Sequence, residues 1–513
     1  MYICLLSGGS GKRLWPLSNS LRSKQYIKIL EPEKIADKGA ESSASLHDSV
    51  DPKNPESKYA PDAVSSYCSM LQRVWGQLGA AGFGEDKRLL TAGQGQREII
   101  QSQLGNVKIA VEPDRRDTFP AVLLSCAYAH EVMGADPDEA ICFLPVDPYA
   151  EQLYFQTLAS LEGVLQETGA DVVLMGVRPE KPESKFGYFV PETGAETGSR
   201  DTRPTDSAVS TAHAASAPAV SRENRGTTAQ SSYFRIARYV EKPAPDAAAQ
   251  LVADGALVNC GVFCMKIGSM LDLARSLAGT ASYEALYRCY DRLPKISFDY
   301  QVLEHSDNLC AVPYSGMWKD LGTWDALSGE MALPSLGDCA LRDCHGTNAV
   351  NELEIPLLAV GCEDLMIVAS YDGILVAPKD RCPEIKSIAD TISTPPRYEE
   401  RRWGTLKTLE SAETPDGFTL LRKIRIFDRA SSSYHYHNDR IEIMTVLSGQ
   451  AEMILDGAHL LLSQGSSVTI PSGKKHAIRA SRDFEYLETH IGRSIGDEDI
   501  HRITFDWNEI AGA

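Results

Sequence analysis

A chain of 513 residues is too long for one ordinary domain, and 43% hydrophobic with 24% charged residues is enough to build a real core. Fifty-one Lys and Arg against 70 Asp and Glu leave a net charge of −19. That balance argues against non-specific binding to nucleic acid or to an anionic membrane, both of which need basic surface. Phosphorylated ligands stay open, because a few local cations suffice to hold them. No apolar run approaches the roughly 18 to 20 residues that span a bilayer. Met1 to Leu6 enters a glycine-rich loop at once, without the basic start or cleavage site of a signal peptide. The 12 cysteines are scattered, with no CxxC pair, and Cys126, Cys142 and Cys260 sit in apolar runs. This predicts reduced, buried thiols in a cytoplasmic protein.

In chain order, Tyr2 to Leu6, Arg88 to Thr91, Val107 to Val111, Ala140 to Leu144 and Asp171 to Val177 read as strands covered on both faces. Between them, Cys68 to Leu78, Gln96 to Leu104 and Phe119 to Met133 carry helical patterns. The alternation predicts a mostly parallel α/β sheet, with ligands at the C-terminal ends of the strands. Segments 31–66 and 193–231 are polar and cannot offset their ordering entropy, so they are expected to be largely disordered surface insertions. From about Asp338 to Thr394 the strands are short and turn-rich, around Val360-Gly361, Leu365 to Ala369 and Gly373 to Ala377. Pro395-Pro396 reads as a linker. Leu420 to Phe427, Ile443 to Leu447, Ala451 to Leu455 and Ser467 to Ile470 then give an all-β pattern. Six of the 11 histidines fall after residue 430.

Gly8-Gly9-Ser10-Gly11-Lys12-Arg13-Leu14 follows the first strand directly. Glycines let backbone N–H groups close on phosphate oxygens, and Lys12 and Arg13 add charge. The loop is not a Walker A motif, since Arg rather than Ser or Thr follows Lys12. Nor is it a GxGxxG fingerprint, since Leu14 stands at the third glycine. A plain strand-to-helix turn remains the alternative on the loop alone.

The longer string LSGGSGKRLWPLSNSLRSKQY resembles the signature of mannose-1-phosphate guanylyltransferases, with Lys12 for Thr and Ser23 for the Pro before Lys24-Gln25. The resemblance continues in order. It runs through Glu112-Pro113 with Arg116 and Thr118, Leu144 to Asp147, Gly176 to Val190, Val240 to Pro243, Asn259 to Phe263, Ile296 to Tyr300 and Trp318 to Trp324. It implies that a sugar phosphate oxygen attacks the α-phosphorus of a nucleoside triphosphate, with GTP and mannose 1-phosphate as partners and pyrophosphate as leaving group. Gly8, Gly9, Gly11, Lys12 and Arg13 would hold the triphosphate, and Lys24 would neutralise the reacting phosphates. Asp147 and Asp320 would hold Mg²⁺, which takes one or two carboxylates plus phosphate oxygens and water. Gly187, Glu241, Lys242 and Asn259 would form the sugar-phosphate side. A homodimer is also expected. A binding-only sensor that keeps loop and pocket is the alternative reading, and the presence of Arg13, Lys24, Asp147 and Asp320 argues against it.

Toward the C-terminus, His435-Tyr436-His437 puts two imidazoles on one face of a strand, and Glu442, Gly449, Gly465, Pro471, Gly473 and His476 follow at fixed spacings. The set resembles the two cupin motifs. His435, His437, Glu442 and His476 suit a divalent transition metal such as Zn²⁺ or Co²⁺. Guanylyltransferases of this family often end in a cupin that isomerises mannose 6-phosphate and fructose 6-phosphate, and Arg402 to Gly404 and Leu487 to Arg502 resemble that domain. The resemblance gives Arg502 a catalytic part, with Lys474 or Lys475 as further cations. His435 and His490 replace glutamines of the family, and its closing DxYGR has become Asp506 to Glu509, so isomerase activity stays open. The expected architecture is a Rossmann-like nucleotidyltransferase domain with a mostly parallel sheet (1–335), a β-rich, left-handed β-helix-like segment (336–394) and a cupin β-barrel (398–513).

Overall fold

A computed structural model describes residues 1–8, 12–30, 67–192, 233–331, 333–494 and 496–511. The two expected insertions, and Gly9 and Gly11 of the loop, lie outside the described residues. Strands β1 (Tyr2–Leu6), β2 (Arg88–Gly93), β3 (Ile109–Glu112) and β4 (Ala140–Pro145) alternate with helices α1 (Met70–Ala80), α2 (Arg97–Leu104) and α3 (Thr118–Glu131). β5 (Pro148–Ala150), helix α4 (Gln152–Thr168), β6 (Val172–Val177), β7 (Tyr188–Pro191), β8 (Phe234–Val240), β9 (Leu257–Lys266), β10 (Leu309–Tyr314) and β11 (Trp318–Asp320) follow. Nine of these strands form one sheet in the order β3-β2-β1-β4-β9-β6-β10-β8-β7. Alternate residues of β1 feed two cores. Ile3 and Leu5 pack on one face, while Tyr2 and Cys4 pack on the other.

The expectation of a mostly parallel sheet needs correction. Only β3-β2-β1-β4 and the β6–β10 pair run parallel. β9 runs antiparallel between β4 and β6, and β7 and β8 add antiparallel ladders. A short apolar run looks the same in either direction, so the pattern that locates a buried strand does not orient it. β5 and β11 stand apart as a two-stranded antiparallel ribbon, with Asp320 opposite Pro148.

The middle segment comprises β12 (Ser335–Leu336), β13 (Cys339–Arg342), β14 (Asn348–Asn351), β15 (Leu357–Val360), β16 (Leu365–Ser370) and β17 (Gly373–Pro378). β12, β14 and β16 stack in parallel, β13 and β15 form a second parallel pair, and β17 folds back on β16. Val350, Met366 and Val368 share a core with Leu14, Leu17 and Trp324, which fixes this segment against the turn that follows the N-terminal loop.

The remainder is antiparallel: β18 (Tyr398–Arg401), β19 (Gly404–Thr414), β20 (Gly417–Ile426), β21 (Tyr434–Tyr436), β22 (Arg440–Ser448), β23 (Gln450–Leu455), β24 (Ala458–Ser463), β25 (Ser467–Ile470), β26 (His476–Ala480), β27 (Phe484–Gly492) and β28 (His501–Thr504). The closed cupin barrel is also corrected. These strands form two open sheets, β18-β19-β20-β27-β22-β25 and β24-β23-β26-β21-β28, with no ladder between them among the described residues. Ile424 and Met444 of one sheet and Met453 and Ile478 of the other share a single core. Inside–outside alternation is common to sandwiches and barrels. Closure depends on whether remote edge strands pair, which alternation does not encode. All 12 cysteines are unpaired, and among the described residues no helix is long and apolar enough to cross a membrane.

Candidate active site and metal centre

The C-terminal ends of β1 and β4 converge on Lys24. Its ammonium lies 2.5 Å from Asp147 Oδ2 and 3.7 Å from Asp320 Oδ1. Asp147 stands just before β5 and Asp320 ends β11, so the ribbon that pairs these strands brings the two carboxylates together. Burial pushes the Lys24 ammonium down, but the charges of Asp147 and Asp320 outweigh it, and the net shift is upward. The turn that carries Lys24 is tied on both sides. Gln25 Nε2 donates to the Ser7 carbonyl at 2.9 Å, and the Tyr26 hydroxyl meets Ser7 Oγ at 2.5 Å. Gln96 Nε2 donates to Ser23 Oγ at 2.8 Å. Arg13 is exposed on the neighbouring turn. Lys12 faces the middle segment, with its ammonium 3.4 Å from Asp390. Gly8 has open space around its Cα.

A second polar group sits where β8 and β9 pass β7. Asn259 Nδ2 donates to Tyr239 Oη and to Asp299 Oδ1, each at 3.0 Å. The Tyr239 hydroxyl lies 2.7 Å from Asp299 Oδ1 and 2.9 Å from Glu241 Oε2. Lys242, at φ 44°, pairs with Glu241 at 2.6 Å. A Cβ on Gly187 would collide with Tyr239 Oη and Glu241 Oε2, so only glycine lets that backbone lie over the cluster. Burial, and then the Glu241 charge, push the Asp299 carboxyl up. Gly261 packs against Pro145, which sets the Asn259 end of β9 beside the β4 end that leads to Asp147. Tyr239 and Asp299 are not among the sequence-derived candidates. Asp299 lies within the Ile296 to Tyr300 block, which is the available signal.

The C-terminal sheets gather a third cluster. His435 lies opposite His476 across β21 and β26, and Glu442 lies opposite His490 across β22 and β27. The side-chain donors of His435, His437 and His476 lie within 4.8 Å of one another. Each Nδ1 meets a backbone carbonyl: Ser433 at 2.8 Å, Asp499 at 2.9 Å and Lys474 at 3.1 Å. A carbonyl only accepts, so each Nδ1 carries the proton and each Nε2 is left with its lone pair. Glu442 Oε1 lies 3.0 Å from His437 Nε2, and its Oε2 lies 3.2 Å from His476 Nε2. Arg440 Nη2 donates to His437 Nε2 at 3.2 Å and Arg440 Nε to Glu442 Oε1 at 3.1 Å, so a guanidinium supplies the charge on that side, while the lone pair of His476 Nε2 against Glu442 Oε2 calls for a proton or a cation between them. The three clustered imidazoles make a candidate divalent-metal site, and Glu442 belongs to an adjacent group with Glu488 and His490. His490, 3.2 Å from Glu442 and 2.7 Å from Glu488, adds a buried imidazole that the sequence motif does not flag as a site residue. Arg502 lies opposite His435 on β28. Lys474 instead pairs with Asp456 at 2.5 Å.

The fold is that of an α/β transferase domain joined through a short β-stack to a two-sheet cupin. Residues 57–333 match the nucleotidyl transferase family and the chain belongs to it; residues 427–489 match the cupin domain. It is therefore a nucleotidyltransferase with a C-terminal cupin. The chain is 25% identical over 543 residues to the alginate biosynthesis protein AlgA of Pseudomonas putida, covering 97% of this chain and 94% of that one. It is 26% identical to the xanthan biosynthesis protein XanB of Xanthomonas campestris, covering 97% of each. It is 22% identical to the mannose-1-phosphate guanylyltransferase RfbM of Salmonella typhimurium, covering 97% and 96%. Among solved structures, a Thermus thermophilus protein described as a mannose-1-phosphate geranyltransferase aligns with TM-score 0.53 and 24% identity. That alignment covers 77% of this chain and 99% of the other, and it supports the fold alone.

Proposed function

We propose that the protein transfers GMP from GTP to mannose 1-phosphate, giving GDP-mannose and pyrophosphate. The observation that carries this reading is Lys24 bracketed by Asp147 and Asp320 at the end of the parallel strands. Asp147 and Asp320 would hold Mg²⁺, which when bound supplies charge neutralisation at the phosphates. Lys24 and Arg13 would neutralise charge on the triphosphate as the α-phosphorus is attacked and pyrophosphate departs. Little covalent work falls to the protein, so alignment and electrostatics supply the rate. Glu241, Asn259 and Asp299 offer acceptors for sugar hydroxyls, and Lys242 a cation for the sugar phosphate. The mannose and guanine choices rest on the ordered blocks and on the named relatives.

The cupin carries a second reading, favoured by a cavity of about 930 Å³ beside the histidine cluster. Arg402, Arg422, Arg440 and Arg502 line it in a chain of net charge −19. Focused positive charge at a metal site suits a phosphorylated sugar, and we propose mannose 6-phosphate and fructose 6-phosphate interconversion there. Pyrophosphate release, crossing four nucleoside triphosphates with mannose, glucose and glucosamine 1-phosphates, tests the first reading. A preference for any pair other than GTP with mannose 1-phosphate rejects it. A coupled assay from fructose 6-phosphate tests the second.

A further inference from the structure

The cavity of the cupin is not walled by the cupin alone. Gln94, Arg97, Glu98 and Gln101, from the stretch between β2 and the middle of α2, line it as well. They belong to the nucleotidyltransferase domain. Helix α2 is pressed against the hairpin of β18 and β19 by specific contacts. The Glu98 carboxylate lies 3.6 Å from Arg402 Nε and 3.4 Å from the Arg402 backbone nitrogen. Ser102 Oγ donates to Glu400 Oε1 at 2.8 Å, and Lys28 reaches the same carboxylate at 3.3 Å.

Helical spacing explains how one short helix does two jobs. Glu98 and Ser102, four residues apart, form the stripe that grips the hairpin. Arg97 and Gln101, also four apart, form the neighbouring stripe that faces the cavity, while Ile99 and Ile100 are buried in the transferase domain. Glu98 spends its charge on Arg402. Arg97 is exposed and makes no ion pair among the described residues.

The wall is rich in donors that have no acceptor. Arg402 Nη2 and Arg422 Nε are buried without a hydrogen-bond partner. Arg502, exposed and lining the same cavity, makes no ion pair among the described residues either. Buried guanidinium donors left open are costly, and a planar fork pairs bidentately with oxyanions such as phosphate.

We propose that Arg97 and Gln101 of the nucleotidyltransferase domain bind the phosphate end of the cupin's ligand, so that the cupin site is composite and incomplete without α2. The inference rests on the reading of this cavity as a phosphorylated-sugar site. In this arrangement the histidine cluster and the arginines of the cavity wall would hold different parts of the ligand, which fixes its orientation.

Isothermal titration of the full-length, metal-loaded protein with fructose 6-phosphate tests the proposal, with unphosphorylated fructose and inorganic phosphate as companion probes. Arg97→Ala is expected to weaken fructose 6-phosphate about tenfold or more, Gln101→Ala about threefold, and Arg97→Lys less than Arg97→Ala. Metal content and the response to fructose should not change. Arg422→Ala, which alters the cupin's own wall, should weaken the same titration and so identify its site. If Arg97→Ala stays within about twofold of the parent while Arg422→Ala loses binding, the cavity reading stands and the composite site is wrong. If the parent shows no phosphate-dependent binding, or neither arginine matters, the cavity reading fails and takes the inference with it.

Discussion

Removing the Lys24 ammonium should have two separable effects. Lys24 sits 2.5 Å from Asp147 and 3.7 Å from Asp320, and the three side chains are 16%, 25% and 26% exposed. A unit charge pair about 4 Å apart is worth about 4 kcal/mol at an effective dielectric of about 20, before solvent takes back its share. If Lys24 stabilises charge on the reacting phosphates, Lys24→Ala should lower kcat by about 10²- to 10³-fold, the cost of losing one preorganised cation or donor. The same ammonium competes with a divalent ion for the two carboxylates. Its loss should lower the Mg²⁺ concentration at half-maximal rate by about tenfold, which corresponds to about 1.4 kcal/mol of the bracket's Coulomb energy. The assay is pyrophosphate release from GTP and mannose 1-phosphate across a Mg²⁺ titration, with circular dichroism to establish folding. Turnover within about threefold of the parent would refute the catalytic role. An unchanged Mg²⁺ dependence would refute the idea that Asp147 and Asp320 are the metal-holding pair.

Three further expectations follow from buried polar groups. Burial pushes the Glu112 carboxyl up to about 6, against the opposing Tyr290 hydrogen bond of 2.6 Å. A raised carboxylate favours the protonated fold. Its contribution, about 2 kcal/mol, is full below pH ~4.5 and is lost as pH rises through ~6. Glu112→Gln should flatten the melting temperature against pH over that window, and an unaltered slope would contradict the assignment. Gln96→Ala removes the 2.8 Å hydrogen bond to Ser23, the residue that precedes the Lys24 turn. It should lower stability by about 1 kcal/mol and transferase kcat several-fold, and a variant with parental turnover would show that the Lys24 turn does not need this tie. For the cupin, elemental analysis of the full chain loaded with Zn²⁺ or Co²⁺ should find one tightly held ion, and His476→Ala should weaken it about 100-fold. Stoichiometric metal surviving in that variant would rule out His476 as a ligand.

Much of the candidate transferase site is legible without any coordinate. Lys24, Asp147, Glu241 and Asn259 lie in short blocks of fixed spacing, and β1, α2 and β4 follow from apolar runs and helical periodicity within a residue or two. Local steric and hydrophobic preferences set the strands and the helix, so neighbours in sequence suffice to reveal them, whereas the four side chains are singled out by the resemblance of their blocks to a known family. The pairing of His435 with His437 is visible for the same reason, because alternate residues of a strand share a face.

What the tertiary structure alone decided concerns elements far apart in the chain. The antiparallel insertion of β9 between β4 and β6, and the open edges of the two C-terminal sheets, depend on which remote strands pair. Apolar alternation is indifferent to that choice. The meeting of Asp147 with Asp320 needs the β5–β11 ribbon to close across the whole transferase domain. Asp299 joins Asn259 and Tyr239 through three separate elements, and His490 reaches Glu442 across a strand pair. The placement of α2 against the cupin cavity is another long-range case. Glu98 and Arg402 are 304 positions apart, and nothing in the sequence around either one names the other. Sequence periodicity told which face each element would bury, and only packing told what that face would meet.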